Sequence, residues 1–308
     1  MPEEIFGEAF PFQQRAEILR FEEITRLARL FASLGAEKLR LTGGEPLLRA
    51  QLPRLVEELA QIGGVRDVAL TTNAVLLPRH AEALAAAGLN RVTISLDALD
   101  PEVFKRMSGG RGEPEQVFDG IAAAERAGLT PIKINTVVQR DANESEIVAI
   151  AEKFRGTGHI VRFIEFMDVG TTNAWDHSLV VPASEILDRI GSEFPLEPVD
   201  ANYPGEVAQR YRYTDGGGEI GIIASVTQPF CGGCTRARIS ADGNLFTCLF
   251  GVEGRDLRTP LREGASDEAL LERIAGTWQR RRDRYSEERT DRAAVRKRRK
   301  VEMFQIGG

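Results

Sequence analysis

The chain has 308 residues, of which 42% are hydrophobic and 28% charged, and a formal net charge of −6. That is enough for one large α/β domain with an appendage or for two modest domains, and it is too apolar for a disordered protein. No segment reads as membrane-spanning, and Met1 to Phe12 has neither a basic stretch nor a long apolar one, so a cytoplasmic protein with no membrane partner is expected.

From Phe21 onward short apolar strands alternate with amphipathic helices. In chain order the pattern predicts a helix from Phe21 to Leu34, a strand from Lys38 to Leu41, a helix from Leu52 to Ile62 and a strand from Val65 to Leu70. A helix from Arg79 to Ala87, a strand from Arg91 to Leu96, a helix from Gln116 to Ala127 and a strand from Ile132 to Val138 follow. A helix from Glu144 to Phe154 and a strand from Ile160 to Phe166 complete the series. Gly35, Gly63, Gly88 and Gly128 stand where helices should stop. This is the rhythm of a parallel sheet wound with helices, either a parallel barrel or an open doubly wound sheet.

Polar or glycine-rich groups follow the strands: Thr42-Gly-Gly-Glu-Pro46, Thr71-Thr-Asn73, Ser95-Leu-Asp97 and Phe166-Met-Asp-Val-Gly170. In a parallel barrel these carboxyl ends converge on one mouth, where the active site lies. Thr42-Gly-Gly-Glu-Pro46 is either a tight turn or a place where backbone meets a ligand, and it lacks the Gly-Lys-Ser/Thr ending of a phosphate loop. Beyond Gly170 the alternation fades into Pro- and Gly-rich sequence, and a second module is expected, dividing the chain into 1–205 and 206–308, with a helix around Ala269 to Arg282. Arg273 to Lys300 holds twelve Lys or Arg against four Asp or Glu; the run Arg296 to Lys300 reads first as a solvated face balancing an acidic body, so no nucleic-acid partner is expected.

The three cysteines all fall between Cys231 and Cys248, as Cys231-Gly-Gly-Cys234 followed after thirteen residues by Cys248. Two thiolates in one turn and a third returning to it can cap three irons of a cubane cluster, leaving one iron open to another ligand. Zinc would need a fourth protein ligand, and His80, His159 and His177 are all distant in sequence; buried or redox thiols are the third possibility.

Cations inside the strands point to an anion. Lys38 and Arg40 share a strand face, Lys133 stands between Ile132 and Ile134, and Arg236 and Arg238 share a face just after Cys234. Such charges are costly unless they are paired or met by a ligand, and guanidinium groups fork onto phosphate oxygens, so a triphosphate is one candidate; ion pairs with Glu45, Asp97 or Glu165 are the structural alternative. Arg162 and Glu165 point to opposite faces of their strand. Met167 is either core or a ring contact, and no histidine is placed by sequence to make Ser95 and Asp97 hydrolytic.

Together these motifs resemble the GTP 3′,8-cyclase family of radical S-adenosylmethionine enzymes, the first step of molybdenum-cofactor biosynthesis. The resemblance runs from Met1-Pro-Glu-Glu through Leu41-Thr-Gly-Gly-Glu-Pro46, Leu70-Thr-Thr-Asn73, Ser95-Leu-Asp97 and Arg162-Phe-Ile-Glu-Phe-Met-Asp-Val-Gly170 to Phe230-Cys-Gly-Gly-Cys-Thr-Arg-Ala-Arg238, Cys248 and Gly307-Gly308. It implies an incomplete triosephosphate-isomerase-type barrel with a C-terminal domain holding a 4Fe-4S cluster on Cys231, Cys234 and Cys248. It further implies GTP contacts at Lys38, Arg40, Thr71, Lys133, Arg236, Ala237 and Arg238, and S-adenosylmethionine contacts at Gly44, Ser95 and Met167, with Glu45 and Asn135 beside them. Arg236, Arg238 and the tail Gly307-Gly308 would act at the reacting centre. The implied reaction begins when S-adenosylmethionine is cleaved to a 5′-deoxyadenosyl radical that takes hydrogen from C3′ of GTP, and it ends as 3′,8-cyclo-7,8-dihydro-GTP. An electron donor, a downstream cyclic pyranopterin monophosphate synthase and a homodimer are the implied partners.

The resemblance also implies a second, N-terminal 4Fe-4S cluster on a Cys-x-x-x-Cys-x-x-Cys motif directly before Met1-Pro-Glu-Glu. The chain as given does not contain that motif and is expected to be a truncated sequence, inactive alone or a non-catalytic GTP-binding or assembly protein. Ala74 stands where the family usually has glycine after Thr-Thr-Asn.

Overall fold

The computed structural model describes residues 13–14, 16–170, 173, 175–289, 301–302 and 305. Helix α1 (Phe21–Ser33) leads into strand β1 (Lys38–Leu41), α2 (Leu52–Ala60), β2 (Asp67–Thr72), α3 (Ala81–Ala86) and β3 (Arg91–Ser95). Then come α4 (Pro101–Ser108), α5 (Pro114–Arg126), β4 (Lys133–Val138), α6 (Glu146–Phe154) and β5 (Ile160–Glu165). Helix α7 (Ala183–Glu193) precedes β6 (Leu196–Val199), β7 (Gln209–Tyr213) and β8 (Glu219–Ile223). A small antiparallel sheet of β9 (Arg238–Ile239), β10 (Asn244–Phe246) and β11 (Arg255–Asp256) is followed by α8 (Arg258–Arg262) and α9 (Asp267–Gln279).

The large sheet runs β1-β2-β3-β4-β5-β8-β7-β6. All pairs from β1 to β8 are parallel, and β8-β7-β6 is antiparallel. The first five strands follow chain order with no reversal, so the sheet winds in one sense as a barrel does and has no switch point of a doubly wound fold. It ends at β1 and β6 without closing, which makes it an incomplete barrel. Residue 205 lies in the loop between β6 and β7, two strands of this one sheet.

One face of the sheet is core. Val68, Leu70, Val92, Ile94, Ile134, Val161, Phe163, Ile220 and Ile222 are buried together with Leu55, Val56, Leu59, Leu84, Ile121, Ile147 and Ile150 of the helices. Close packing explains a mid-helix glycine: a Cβ on Gly120 of α5 would stand 2.5 Å from the Ala74 carbonyl oxygen. Ala74 itself is fully buried with φ +67°, the left-handed region where glycine is unstrained, which accounts for the residue usual there. A second cluster joins Leu27 and Leu30 of α1 to Leu245, Leu257, Leu270 and Ile274, fixing the small sheet and α9 to the start of the barrel.

Several predicted boundaries shift. The strand expected from Val65 begins at Asp67, because Val65 N–H closes a turn onto the Ile62 carbonyl (3.1 Å). Gly64, not Gly63, takes the positive φ at that helix end. The helix expected from Arg79 starts at Ala81 after a separate 3-10 turn, Leu77–Arg79, and the helix expected around Ala269 to Arg282 runs from Asp267 to Gln279. Among the described residues no helix is long and apolar enough to cross a membrane.

Candidate functional site

The other face of the sheet is polar, and the strand register shows why. Arg40, Ala69 and Arg91 lie side by side across β1, β2 and β3. Thr71, Thr93 and Lys133 form the next row, and Ser95, Asn135, Arg162 and Gly221 the next. Neighbours in register point the same way, so these residues line one concave surface inside the partial barrel, with Lys38 two places before Arg40. Gly221 makes room for Arg162: a Cβ there would meet the Arg162 Cγ at 3.1 Å.

The cations on this face have no carboxylate partner among the described residues, with one exception. Arg91 is paired with Asp67. Arg40 Nη1 donates only to hydroxyls, Thr71 Oγ1 at 2.9 Å and Thr93 Oγ1 at 3.3 Å, and Arg162 Nη2 reaches Thr93 Oγ1 at 3.4 Å. The three carboxylates that might have neutralised them are engaged elsewhere. Glu45 accepts from Leu47 N, Thr72 Oγ1 and Asn73 N at 2.8–3.0 Å, tying the β1 loop to the end of β2. Glu165 is fully buried and accepts from Ala183 N, Val226 N and Thr227. Asp97 accepts from Val137 N at 2.8 Å, and burial raises its pKa to about 6. Ion pairing with Glu45, Asp97 or Glu165 therefore does not explain the strand cations.

Burial first, and like charge second, disfavour the protonated forms of these cations. Burial, then the charges of Arg162 and Arg91, brings Lys133 down to about 8. Burial, then Arg40 and Arg91, brings Arg162 down to about 10. Arg40 keeps accessible surface yet is walled by protein, and its pKa is lowered by that enclosure first, then by Arg91. An anion would relieve all three. Lys38 instead holds its ammonium over the Tyr203 ring, 3.6 Å from the centroid. Arg91, Thr93, Tyr203 and Glu206, whose charge partly offsets the lowering at Lys133 and Arg162, were not singled out from sequence; Arg91 and Thr93 were legible, since they alternate along β3 with Ser95, whereas Tyr203 and Glu206 sit on an irregular loop.

Asn135 Oδ1 is buried without a hydrogen-bond partner, beside exposed Ser95. A buried acceptor of this kind fits a ligand that brings N–H or O–H groups, as S-adenosylmethionine does. Gly44 is exposed on the loop after β1, where an added Cβ would meet nothing. Met167 packs with Cys248 and Leu249 on the Val169, Phe250 and Tyr285 cluster.

Cys231 to Gly233 form a single 3-10 turn closed by Cys234 N onto the Cys231 carbonyl (3.2 Å), and all three cysteines are free and half-buried. Arg236 Nε lies 3.4 Å from Cys234 Sγ. Burial favours the Cys234 thiol, but the charge and hydrogen bonds of Arg236, with Arg281, outweigh it and lower the pKa; burial raises that of Cys248. Arg238 is brought down to about 10 by burial first and then by Arg236, while the Cys234 and Cys248 thiolates oppose the shift. Ala237 between them is exposed. Arg236 also acts on Arg40, so the cysteine segment borders the cationic face. Among the described residues no three His, Cys, Asp or Glu side chains are gathered at metal-binding distance. Three free thiols with two neighbouring guanidiniums nonetheless form a donor set that suits an iron-sulfur cluster. Gly307, Gly308 and the run Arg296 to Lys300 lie outside the described residues.

Comparison with known proteins agrees with this geometry. The Radical SAM superfamily profile matches residues 5–154, and Molybdenum Cofactor Synthesis C matches residues 159–287. A protein of Xanthomonas campestris pv. campestris (strain B100) named GTP 3′,8-cyclase is 55% identical over 290 residues, 94% of this chain and 84% of its own. Proteins of the same name from Acidothermus cellulolyticus (51% identical) and Staphylococcus aureus strain JH9 (44%) each align with 100% of this chain and 91% of theirs. Among solved structures, methylornithine synthase overlaps 57% of this chain and 53% of its own with a TM-score of 0.44 and 15% identity. With the open parallel sheet, the cationic inner face and these relatives, the chain belongs to the GTP 3′,8-cyclase family of radical S-adenosylmethionine enzymes.

Proposed function

We propose that this chain holds GTP for conversion to 3′,8-cyclo-7,8-dihydro-GTP. The observation that carries the reading is the set of sheet cations, Arg40, Lys133 and Arg162, that face one concavity with no carboxylate among the described residues to pair them. Lys38, Arg40, Thr71, Lys133 and Arg162 would grip the triphosphate; Arg236, Ala237 and Arg238 would meet the nucleotide from the cysteine side. Cys231, Cys234 and Cys248 would hold a 4Fe-4S cluster, which three thiolates would leave with a coordination position for the nucleotide. Gly44, Ser95, Asn135 and Met167, with Glu45 bracing the loop, would hold S-adenosylmethionine, which supplies the radical chemistry when bound. Gly307 and Gly308 would complete the site, where a side chain would obstruct the ligand.

The work of these residues is orientation. Bonds to the phosphates at one end and to the base at the other fix the ribose between them, so that C3′ and C8 come together, and no acid or base on the sheet is needed for that. All three cysteines in the 308 residues are assigned to one centre. The second reading follows from that count: the chain as given binds GTP without turning it over.

Anaerobic reconstitution and titration test both parts. Iron and acid-labile sulfide should bind without zinc and be lost in Cys231→Ala, Cys234→Ala and Cys248→Ala. Arg238→Ala should weaken GTP binding by roughly 10- to 100-fold, about 1.5–3 kcal/mol for hydrogen bonds to a charged ligand, with an unchanged melting temperature. GTP affinity equal to the parent's in Arg238→Ala, or zinc in place of iron, would sink the reading. Turnover of GTP by the chain alone would sink the second reading.

A further inference from the structure

The segment after α9, residues 281–289, has no helix or strand, yet alternate side chains along it are committed to the cysteine loops or the barrel. Arg281 Nη1 donates to the Cys234 carbonyl at 2.6 Å. Asp283 accepts from Thr247, the neighbour of Cys248, at 2.5 Å. Tyr285 donates to Asp168, and its ring stacks on Phe250 with centroids 4.6 Å apart. Glu287 accepts from Gly232 N at 3.2 Å, inside the cysteine turn. Arg289 Nε donates to Asp168 at 2.9 Å and its Nη1 to the Ser225 carbonyl at 3.1 Å. The intervening Arg282 and Arg284 are exposed.

Among the described residues, the loops it touches carry little regular structure or buried apolar contact of their own. Cys231 and Cys234 share one turn with Gly232 and Gly233, and β9 and β11 are two residues each. Buried apolar contact around Cys248 is limited to Val169, Phe250 and Tyr285. Cys248 and the Cys231–Cys234 turn thus lie on two separate loops, and one short segment bonds to both. Its far end is fixed by Asp168–Arg289, an ion pair in which both side chains are about nine-tenths buried or more, just beyond β5. Such a pair holds one geometry, because separating it leaves a buried charge unpaired.

We propose that residues 281–289 are the positioning clamp of the three-cysteine centre, anchored on Asp168 and contributing no ligand atom. The proposal rests on the reading of Cys231, Cys234 and Cys248 as one centre, and it deepens that reading by naming what sets the spacing of the thiols. Groups that orient ligands from outside the coordination sphere typically change metal affinity by roughly 10- to 100-fold when they are removed.

The test is the rate at which the reconstituted full chain yields iron to a chelator, followed by visible absorption and paired with circular dichroism and melting temperature. Asp168→Asn, Arg281→Gln and Glu287→Ala are the variants; Glu287 lies toward the surface, so at least one should fold normally. Arg262→Ala, on α8 and away from the cysteine loops, serves as a destabilised control. Release roughly 10-fold or more faster in the three variants than in a control of equal or lower melting temperature is expected, with partial rescue by Arg281→Lys. Parental release rates in all three, or rates that track melting temperature regardless of site, overturn the clamp. If Cys231→Ala and Cys234→Ala hold iron as the parent does, the centre itself fails and the clamp with it; if they lose iron while the clamp variants keep it, only the clamp fails.

Discussion

Lys133 and Asn135 face the concavity because Ile134 between them and Thr136 after them are buried on the other side of the same strand, whereas Cys231 and Cys234 are held by one turn and by bonds with Arg281 and Glu287. In the sheet, aiming a polar side chain is a by-product of apolar packing. In the cysteine segment it depends on individual polar contacts. A site assembled from both is expected to separate two kinds of damage: core changes that unfold the barrel, and surface or polar changes that leave the barrel intact while the site loosens.

The largest effect should come from the packed side. Phe163 is fully buried in β5, the strand that carries Arg162 and pairs in parallel with both β4 and β8. Phe163→Ala should cost about 3–5 kcal/mol through lost transfer and the cavity left behind. Denaturant melts should show it, with iron retention and GTP binding lost together only because the fold is lost. A variant that stays folded near parental stability would mean the sheet is not the rigid half.

Next is the polar bond that joins the halves. Glu23 of α1 is buried and bonded to Arg262 of α8, with Nε to Oε1 at 2.8 Å. The Arg262 hydrogen bond, opposed by burial and aided by the Arg20 backbone, lowers its pKa from 4.5 to about 2. Arg262→Ala leaves that buried carboxylate with only Arg20 beside it and should lower stability at neutral pH. The sign follows from the depressed pKa: the stabilisation is present above pH 4.5 and is lost as pH falls toward 2, so the deficit of the variant should shrink over that window. A deficit that does not change with pH would show that packing rather than charge joins α1 to α8.

The sheet was also the legible half of the sequence. Strands β1, β3, β4 and β5 lie within one residue of their expected spans, because alternation of apolar and polar residues is the same physics that buries one face. Helix α4 was missed although Asp100 caps it and Gly109 ends it in a left-handed conformation; the run between them is short, with Val103, Phe104 and Met107 its only large apolar side chains. Helix α7 and strands β6, β7 and β8 were missed because Pro- and Gly-rich connections hid three edge-side strands of four or five residues. Arg162 was read as one of two opposite-facing residues without a role, since sequence cannot say which strand neighbours bring Thr93 and Gly221 to it. The three thiols and their spacing were plain, but the contacts of Arg281, Tyr285 and Glu287 were not: long-range polar contacts leave no local period.

Lys133 offers a smaller and sharper test of the sheet face. Its pKa of about 8 places the loss of its charge within reach of solution work. Anion binding needs the protonated form, so affinity for GTP should hold below pH 8 and fall as pH rises through it, by roughly tenfold between pH 7 and 9. Lys133→Arg, charged throughout, should flatten the profile. Titration calorimetry at several pH values reads both, and an unchanged slope in Lys133→Arg would assign the dependence to another group.

The smallest effect should arise where the two halves meet, at Tyr203. The loop carrying it touches the cysteine segment: a Cβ on Gly205 would stand 2.9 Å from the Gly233 carbonyl oxygen. The Tyr203 ring takes the Lys38 ammonium at 3.6 Å and stands near enough to Arg40 and Arg162 to act on their charges. If Lys38 turns to a triphosphate it must leave the ring, and that contact is worth about 0.5–1 kcal/mol at an accessible site. Tyr203→Leu should therefore bind GTP about two- to fivefold more tightly. The effect should vanish in the Lys38→Met background, because a contact that acts only through Lys38 has nothing left to release. Weaker binding in Tyr203→Leu, persisting in the double variant, would instead mean that the ring touches the nucleotide itself, and that the loop belongs to the cradle rather than to the competition for it.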